Sequence, residues 1–143
     1  QGKVLACDIQ STVTVFPPNV EFHQEDVFRR SEAFERQLAE TGPFHVVMSD
    51  MAPQTTGTKF TDQARSLELC LEALAVAEKY LGKGGSFVVK IFMGPDVGEL
   101  LKGMRPRFAR VTSFKPQSSR VESKETFFVG LGFKGKEADG ARD

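Results

Sequence analysis

Four side chains in this sequence sit where their types and spacing could do chemistry. Asp8 follows the apolar run Lys3–Cys7, Asp26 follows Val20–Gln24, and Asp50 follows Phe44–Ser49. If those runs are strands of an open α/β sheet, the three carboxylates border the crevice outside the strand ends, where ligands bind in such sheets. An acid in the position of Asp8 can accept hydrogen bonds from a ribose diol. An aspartate after a strand is also a common turn former, so Asp8 by itself decides little. Lys90 is the sharper signal, because it interrupts Ser86-Phe-Val-Val-Lys-Ile-Phe92, the most hydrophobic stretch of the chain. A charged amine is costly to bury. Such a lysine snorkels to the surface, pairs with a carboxylate for structural reasons alone, or serves proton chemistry. Near carboxylates it could take the proton of a weakly acidic hydroxyl, or steer the hydroxyl's lone pair toward an electrophile. Asp50 and Glu125 are its natural neighbours, one closing the preceding strand and the other opening the last. In Ser49-Asp-Met-Ala-Pro53 the aspartate leads into a turn that Pro53 stiffens, which is equally the pattern of a turn without function.

The elements that would position these residues alternate between strand and helix, which predicts an α/β fold with a mostly parallel sheet. Strands are expected at Lys3–Cys7, Val20–Gln24, Phe44–Ser49 and Ser86–Phe92. Ser31 caps a helix that carries Phe34 and Leu38 and stops at Gly42-Pro43. The longest helix starts at Thr61 or Asp62, with Leu67, Cys70, Leu71, Leu74, Ala77 and Leu81 spaced for one face. Gly82 suits its end, and Gly84-Gly85 turns the chain into the lysine-bearing strand. A short helix spans about Asp96–Met104, closed by Pro106. Val111–Phe114 and Thr126–Phe133 form an antiparallel pair at one edge, joined by the polar, basic stretch Lys115–Lys124. Residues 1–133 read as one domain and 134–143, rich in Gly and charge, as a frayed tail.

The bulk properties narrow the class. A length of 143 residues suits one domain, and 40% apolar with 27% charged residues is ordinary for a soluble protein. No run approaches the roughly 18 apolar residues of a membrane span, and no signal-peptide pattern opens the chain, so a cytoplasmic location is expected. Cys7 and Cys70 have no neighbouring cysteines, which predicts two buried, reduced thiols and no metal site. The net charge is zero but unevenly spread: seven basic residues against one acid lie between Lys102 and Lys124, and seven acids against three arginines between Glu21 and Asp50. A basic face for RNA is one reading of that asymmetry, and an unevenly charged solvated surface is the other.

Four motifs taken in order add a resemblance. Val46-Val-Met-Ser-Asp-Met-Ala-Pro53, Gly84-Gly-Ser-Phe-Val-Val-Lys-Ile-Phe92, Lys115-Pro-Gln-Ser-Ser-Arg120 and Ser123-Lys-Glu125 resemble the FtsJ/RrmJ family of ribosomal RNA 2′-O-methyltransferases, over Gly2 to Phe133. The resemblance implies a Rossmann-like fold that uses S-adenosylmethionine and needs no metal. It also implies a Lys-Asp-Lys-Glu catalytic set, of which Asp50, Lys90 and Glu125 fill the last three positions. By the same resemblance Asp8 meets the donor's ribose, Asp26 lies near its adenine, Asp50 lies close to the donor, and Ser119 and Arg120 face substrate RNA. The family's first lysine, its Gly-rich donor loop and its first strand and helix match nothing in residues 1–143. The chain is therefore expected to lack the central first strand, and both flanking strands to show apolar edges.

The expected reaction is an in-line displacement in which a 2′-oxygen attacks the donor methyl and the thioether of S-adenosylhomocysteine leaves, within a monomer acting on RNA of the bacterial large ribosomal subunit, at a uridine. Two alternatives differ in kind. One is a base-modifying RNA methyltransferase, disfavoured because no aromatic residue follows Pro53 in the Asp50-Met-Ala-Pro53 turn. The other is an RNA-binding fragment that keeps the basic segment and does no chemistry. A nicotinamide dehydrogenase is poorer still, since Gly-x-Gly-x-x-Gly is absent.

Overall fold

The computed structural model describes residues 2–54, 56–115 and 125–135. Its elements run β1 (Val4–Asp8), β2 (Val20–Gln24), α1 (Glu32–Thr41), β3 (Phe44–Ser49), α2 (Lys59–Tyr80), β4 (Leu81–Phe92), α3 (Val97–Met104), β5 (Phe108–Phe114) and β6 (Glu125–Phe133). They fall into two units, Gln1–Gly42 and Pro43–Asp143.

In the first unit β1 and β2 form a parallel ladder from Val4–Val20 to Asp8–Gln24. The backbone turn at Pro17–Asn19 fixes its start, with Val20 N donating to Pro17 O (3.0 Å) and Val4 N to Asn19 O (2.8 Å). α1 begins where the sequence predicts. Ser31 Oγ accepts from Phe34 N (3.1 Å), and Glu25 accepts in turn from both Ser31 N (2.8 Å) and Ser31 Oγ (2.9 Å). Glu32 and Glu35 in the first turn complement the helix dipole. Phe34 and Leu38 are buried, and the His23 ring lies 5.1 Å from that of Phe34.

The second unit is a four-stranded sheet in the order β3-β4-β6-β5. β3 and β4 are parallel, whereas β6 runs antiparallel to both β4 and β5. The expected antiparallel pair therefore lies at one edge, with β6 inside it. One face of β4 presents Phe87, Val89 and Ile91 to a core completed by Cys70, Ala73, Leu74 and Ala77 of α2 and Leu100 and Met104 of α3. The alternation places Val88, Lys90 and Phe92 on the other face, where burial is only partial. At the opposite edge of the sheet β3 has no second neighbour among the described residues, and Met48 is 73% exposed. β1 likewise has one partner, and its Val4 is exposed.

Several expectations need correction. α2 starts at Lys59, before Thr61, because Thr58 O already accepts from Asp62 N (3.0 Å). Leu71 is exposed, and Ala73 takes its place in the core. β4 begins at Leu81, not Ser86: Phe44 pairs with Leu81 and Val46 with Ser86, so residues 82–85 bulge against His45 alone. The predicted turn at Gly84 lies within that bulge, at φ 85°. β5 starts at Phe108, directly after the turn in which Arg107 N donates to Met104 O (3.0 Å). Cys7 is exposed; only Cys70 is the buried thiol expected. The tail is anchored at its first residue, since Lys134 N donates to Arg107 O (2.9 Å). Residues 136–143 lie outside the described residues. Gly132, at φ 71°, breaks the strand's alternation, so that Leu131 stays exposed while Phe133 returns to the core against Phe108.

Candidate active site

Lys90 is the best-defined of the candidate side chains. It lies on β4 opposite Phe127 of β6, which makes Glu125, two residues along, its diagonal neighbour on the same face. A lysine spans that gap, and Nζ sits 3.3 Å from Glu125 Oε2, with side chains 19% and 40% exposed respectively. The amine is therefore shielded but open to one side. Glu125 also accepts, through its carbonyl oxygen, from Lys115 Nζ (3.2 Å).

Asp50 does not share this contact. The β3–β4 ladder ends at Ser49–Val89, so Asp50 is the residue beside Lys90 in register. There the chain turns away, with Met51 N reaching Ser49 Oγ (3.4 Å), and Asp50 is exposed. It makes no ion pair with Lys90 among the described residues. The expectation of a lysine held by two acids is met by Glu125 alone.

In the first unit, Asp8 and Asp26 both lie at the carboxyl end of the parallel ladder. Asp8 Oδ1 accepts from Gln10 N (3.0 Å) and Asp26 Oδ1 from Phe28 N (3.0 Å), which shapes the turn after each strand. Glu25 N donates to Asp8 O (2.9 Å), tying the two turns together. In each carboxylate Oδ1 is the oxygen engaged in the turn. Ser119 and Arg120 lie outside the described residues.

Two features escaped sequence reasoning. Phe114 on β5 pairs with Phe127, which pairs with Lys90, so an aromatic row leads from the lysine to the sheet edge and ends at Phe114, 58% exposed. Cross-strand register, which a single sequence does not print, is needed to see it. The second is a polar row on α2, Gln63, Ser66 and Cys70, bonded to the backbone of β4. Its trace is visible in the sequence, as two polar residues in phase with the apolar stripe of a buried helix face.

A family model for FtsJ-like methyltransferases matches residues 1–133. The chain belongs to that family. Among curated relatives, the ribosomal RNA large subunit methyltransferase E of Nitratidesulfovibrio vulgaris (strain Miyazaki F) is 71% identical over 143 residues, which covers 100% of this chain and 70% of that protein. The protein of the same name from Lawsonia intracellularis is 65% identical over 133 residues, covering 93% of this chain and 66% of its own length. Among solved structures, one from Plasmodium falciparum assigned as a ribosomal RNA methyltransferase superposes with a TM-score of 0.79 at 24% identity, covering 95% of this chain and 75% of that one. A Streptococcus mutans protein assigned as a methyltransferase, in complex with SAH, superposes at 0.56 with 15% identity, covering 92% and 72%. The likeness to these structures is one of fold. This FtsJ-like chain is accordingly a methyltransferase with a Rossmann-like α/β fold, and its sheet pairings are mixed, two parallel and two antiparallel.

Proposed function

We propose that this chain takes part in methyl transfer from S-adenosylmethionine to a ribose 2′-hydroxyl of RNA, at a uridine of bacterial large-subunit ribosomal RNA. The names of its close relatives support the RNA, and the family supports the reaction. We read residues 1–133 as one methyltransferase domain, monomeric and cytoplasmic. The placement of Lys90, paired with Glu125 inside an otherwise apolar strand, carries the reading, because an apolar side chain would pack there without the cost of shielding an amine.

The donor, when bound, supplies a methyl group already activated by a sulfonium. The residues fit such a ligand: Asp8 and Asp26 offer carboxylate oxygens at the carboxyl ends of β1 and β2, suited to a ribose diol and to an exocyclic amine. Lys90 faces the 2′-hydroxyl. As a free amine it accepts the hydroxyl proton, and as an ammonium it steers the oxygen's lone pair. In either case Glu125 fixes the direction of Nζ. Asp50, exposed beside Lys90 in register, is assigned to the donor, as in the family. Ser119 and Arg120 are assigned to substrate RNA.

The test is Lys90→Ala in the intact protein, with methylated RNA digested to nucleosides and weighed by mass spectrometry. Loss of about a hundredfold or more in rate is expected. Methylation near the wild-type rate removes Lys90 from the mechanism. A methyl group found on the base rejects ribose chemistry. Calorimetry that detects RNA binding but no heat with S-adenosylmethionine marks a binding module.

A further inference from the structure

β4 loses one neighbour before it ends. Its ladder with β3 stops at Ser49–Val89, yet the strand continues to Phe92, while the ladder with β6 persists from Lys90–Phe127 to Phe92–Glu125. Backbone groups on the β3 side of residues 90–93 must find partners elsewhere. α2 supplies them. Cys70 Sγ donates to Lys90 O (3.0 Å), Phe92 N donates to Ser66 Oγ (3.0 Å), and Gln63 Nε2 donates to Met93 O (2.9 Å). All three α2 side chains are buried, and their spacing of three and four residues puts them on one helix face. Packing alone would be served by Ala or Leu at each place, and buried polar groups persist only where they are bonded. Gly94 gives a second sign of the same contact. A Cβ there would lie 2.5 Å from Gln63 Cδ, so the chain leaving β4 approaches the carboxamide as bare backbone.

We propose that Gln63, Ser66 and Cys70 are positioning residues for methyl transfer, standing in for the departed β3 and fixing the backbone of Lys90 where the two strands part. The inference rests on the assignment of Lys90 to the reacting hydroxyl. Two of the three bonds bracket the lysine, one on its own carbonyl and one on the amide two residues on. Glu125 holds the tip of the side chain, and the α2 row holds its root. An amine on a long flexible stem meets a reacting oxygen reliably only if both ends are fixed.

The experiment compares Ser66→Ala, Cys70→Ala and Cys70→Ser in the intact protein, alone and with Lys90→Ala, by single-turnover methylation. Ser66→Ala and Cys70→Ala are expected to lower kcat roughly tenfold, leaving KM for RNA and donor unchanged. Cys70→Ser, which keeps a donor, should recover most of the loss. Amide exchange at Phe92 should accelerate in Ser66→Ala. In the Lys90→Ala background Ser66→Ala should cost nothing more, because the two act through one amine. An unchanged kcat for Ser66→Ala overturns the proposal, and so does an equal further loss in the Lys90→Ala background, which marks general damage. If Lys90→Ala alone leaves the rate near wild type, the assignment beneath the proposal falls and the proposal with it. A large loss for Lys90→Ala beside none for Ser66→Ala sinks only the positioning role. Should Ser66→Ala not fold, Gly94→Ala probes the same contact by displacing the Gln63 carboxamide, with the same expected loss of kcat and the same refutation.

Discussion

Replacing Glu125 by Gln separates a structural ion pair from a catalytic one, because the two roles predict opposite balances of stability and rate. Coulomb's law at the 3.3 Å separation of Lys90 and Glu125 gives about 1 kcal/mol in water and roughly 5 kcal/mol at an effective dielectric constant of 20. The glutamate is 40% exposed, so the higher figure does not apply. Solvent screening and the ordering of two long side chains bring such pairs to about 1 kcal/mol or less. Thermal unfolding should therefore shift by only about 3–4 °C for a domain of this size. The rate should suffer more. Gln keeps the shape of Glu and part of its hydrogen bonding but removes the charge that orients Nζ, and a fall in kcat of about tenfold is expected, against a hundredfold or more for removing the amine itself. Calorimetric melting and single-turnover methylation on the same preparation check both numbers. A melting point lowered by ten degrees or so with kcat per folded molecule intact would show that the pair stabilises the sheet and does not serve the reaction.

Gly130→Ala should destabilise without touching the chemistry. The new Cβ would lie 2.7 Å from Phe108 Cγ, in a ring stacked 6.1 Å from Phe87, so an overpacking cost of about 1–3 kcal/mol is expected in chemical denaturation, with normal kcat for the folded fraction. Asp62 ties Thr56 to α2 through bonds from Thr56 N and Oγ1, each 2.8 Å, and the Thr56 N–H above all holds its carboxyl below the usual range. A depressed carboxyl stabilises above its unfolded value near pH ~4 and loses that contribution as pH falls through the lower folded value. Asp62→Asn should therefore flatten stability against pH in acid; an acid limb as steep as wild type would contradict it. Cys7 should alkylate in the native protein and Cys70 only after unfolding, since burial pushes the Cys70 thiol up to about 12. Although Cys7 as a residue is exposed, its thiol is partly shielded, and that shielding, with the carboxylates of Glu25 and Asp8, raises its pKa. Its labelling should still be accelerating as pH rises past about 9, and mass spectrometry of native and unfolded samples counts the thiols.

Which parts of this molecule were legible in advance follows from the range of each signal. β2 and β3 were read to the residue, and α1 from its cap, because alternation, Ser31 and Gly42-Pro43 are local statements. Lys90 stood out because a charge in an apolar strand is a local contradiction. Errors came where tertiary structure overrides local pattern. The Gly84-Gly85 turn is real, but pairing of Leu81 with Phe44 makes it a bulge inside a longer strand. Leu71 obeys the helical spacing and is nevertheless exposed, because the stripe of α2 is narrower than the spacing rule allows. Cys7 reads as buried because no other cysteine lies near it in sequence, although it stands exposed near the end of β1.

The placing of Asp50 is the most instructive of these. The sequence puts Asp50 and Glu125 on equal terms as partners of Lys90, since both border a strand end. Register separates them. Glu125 lies inside a continuing antiparallel ladder, diagonal to the lysine, whereas Asp50 is the first residue after a parallel ladder has ended. A carboxylate in the ladder is held at a fixed reach, and one just beyond it turns away with the chain. The departure of β3 that releases Asp50 also exposes the backbone of β4, which is where Gln63, Ser66 and Cys70 are bonded. One divergence of two strands thus accounts for an exposed acid without an ion pair to the lysine and for a helix face that is polar where it should be apolar. Where a strand outlasts its neighbour in the sheet, its open backbone groups need partners, and the helix packed on it supplies them as buried polar side chains.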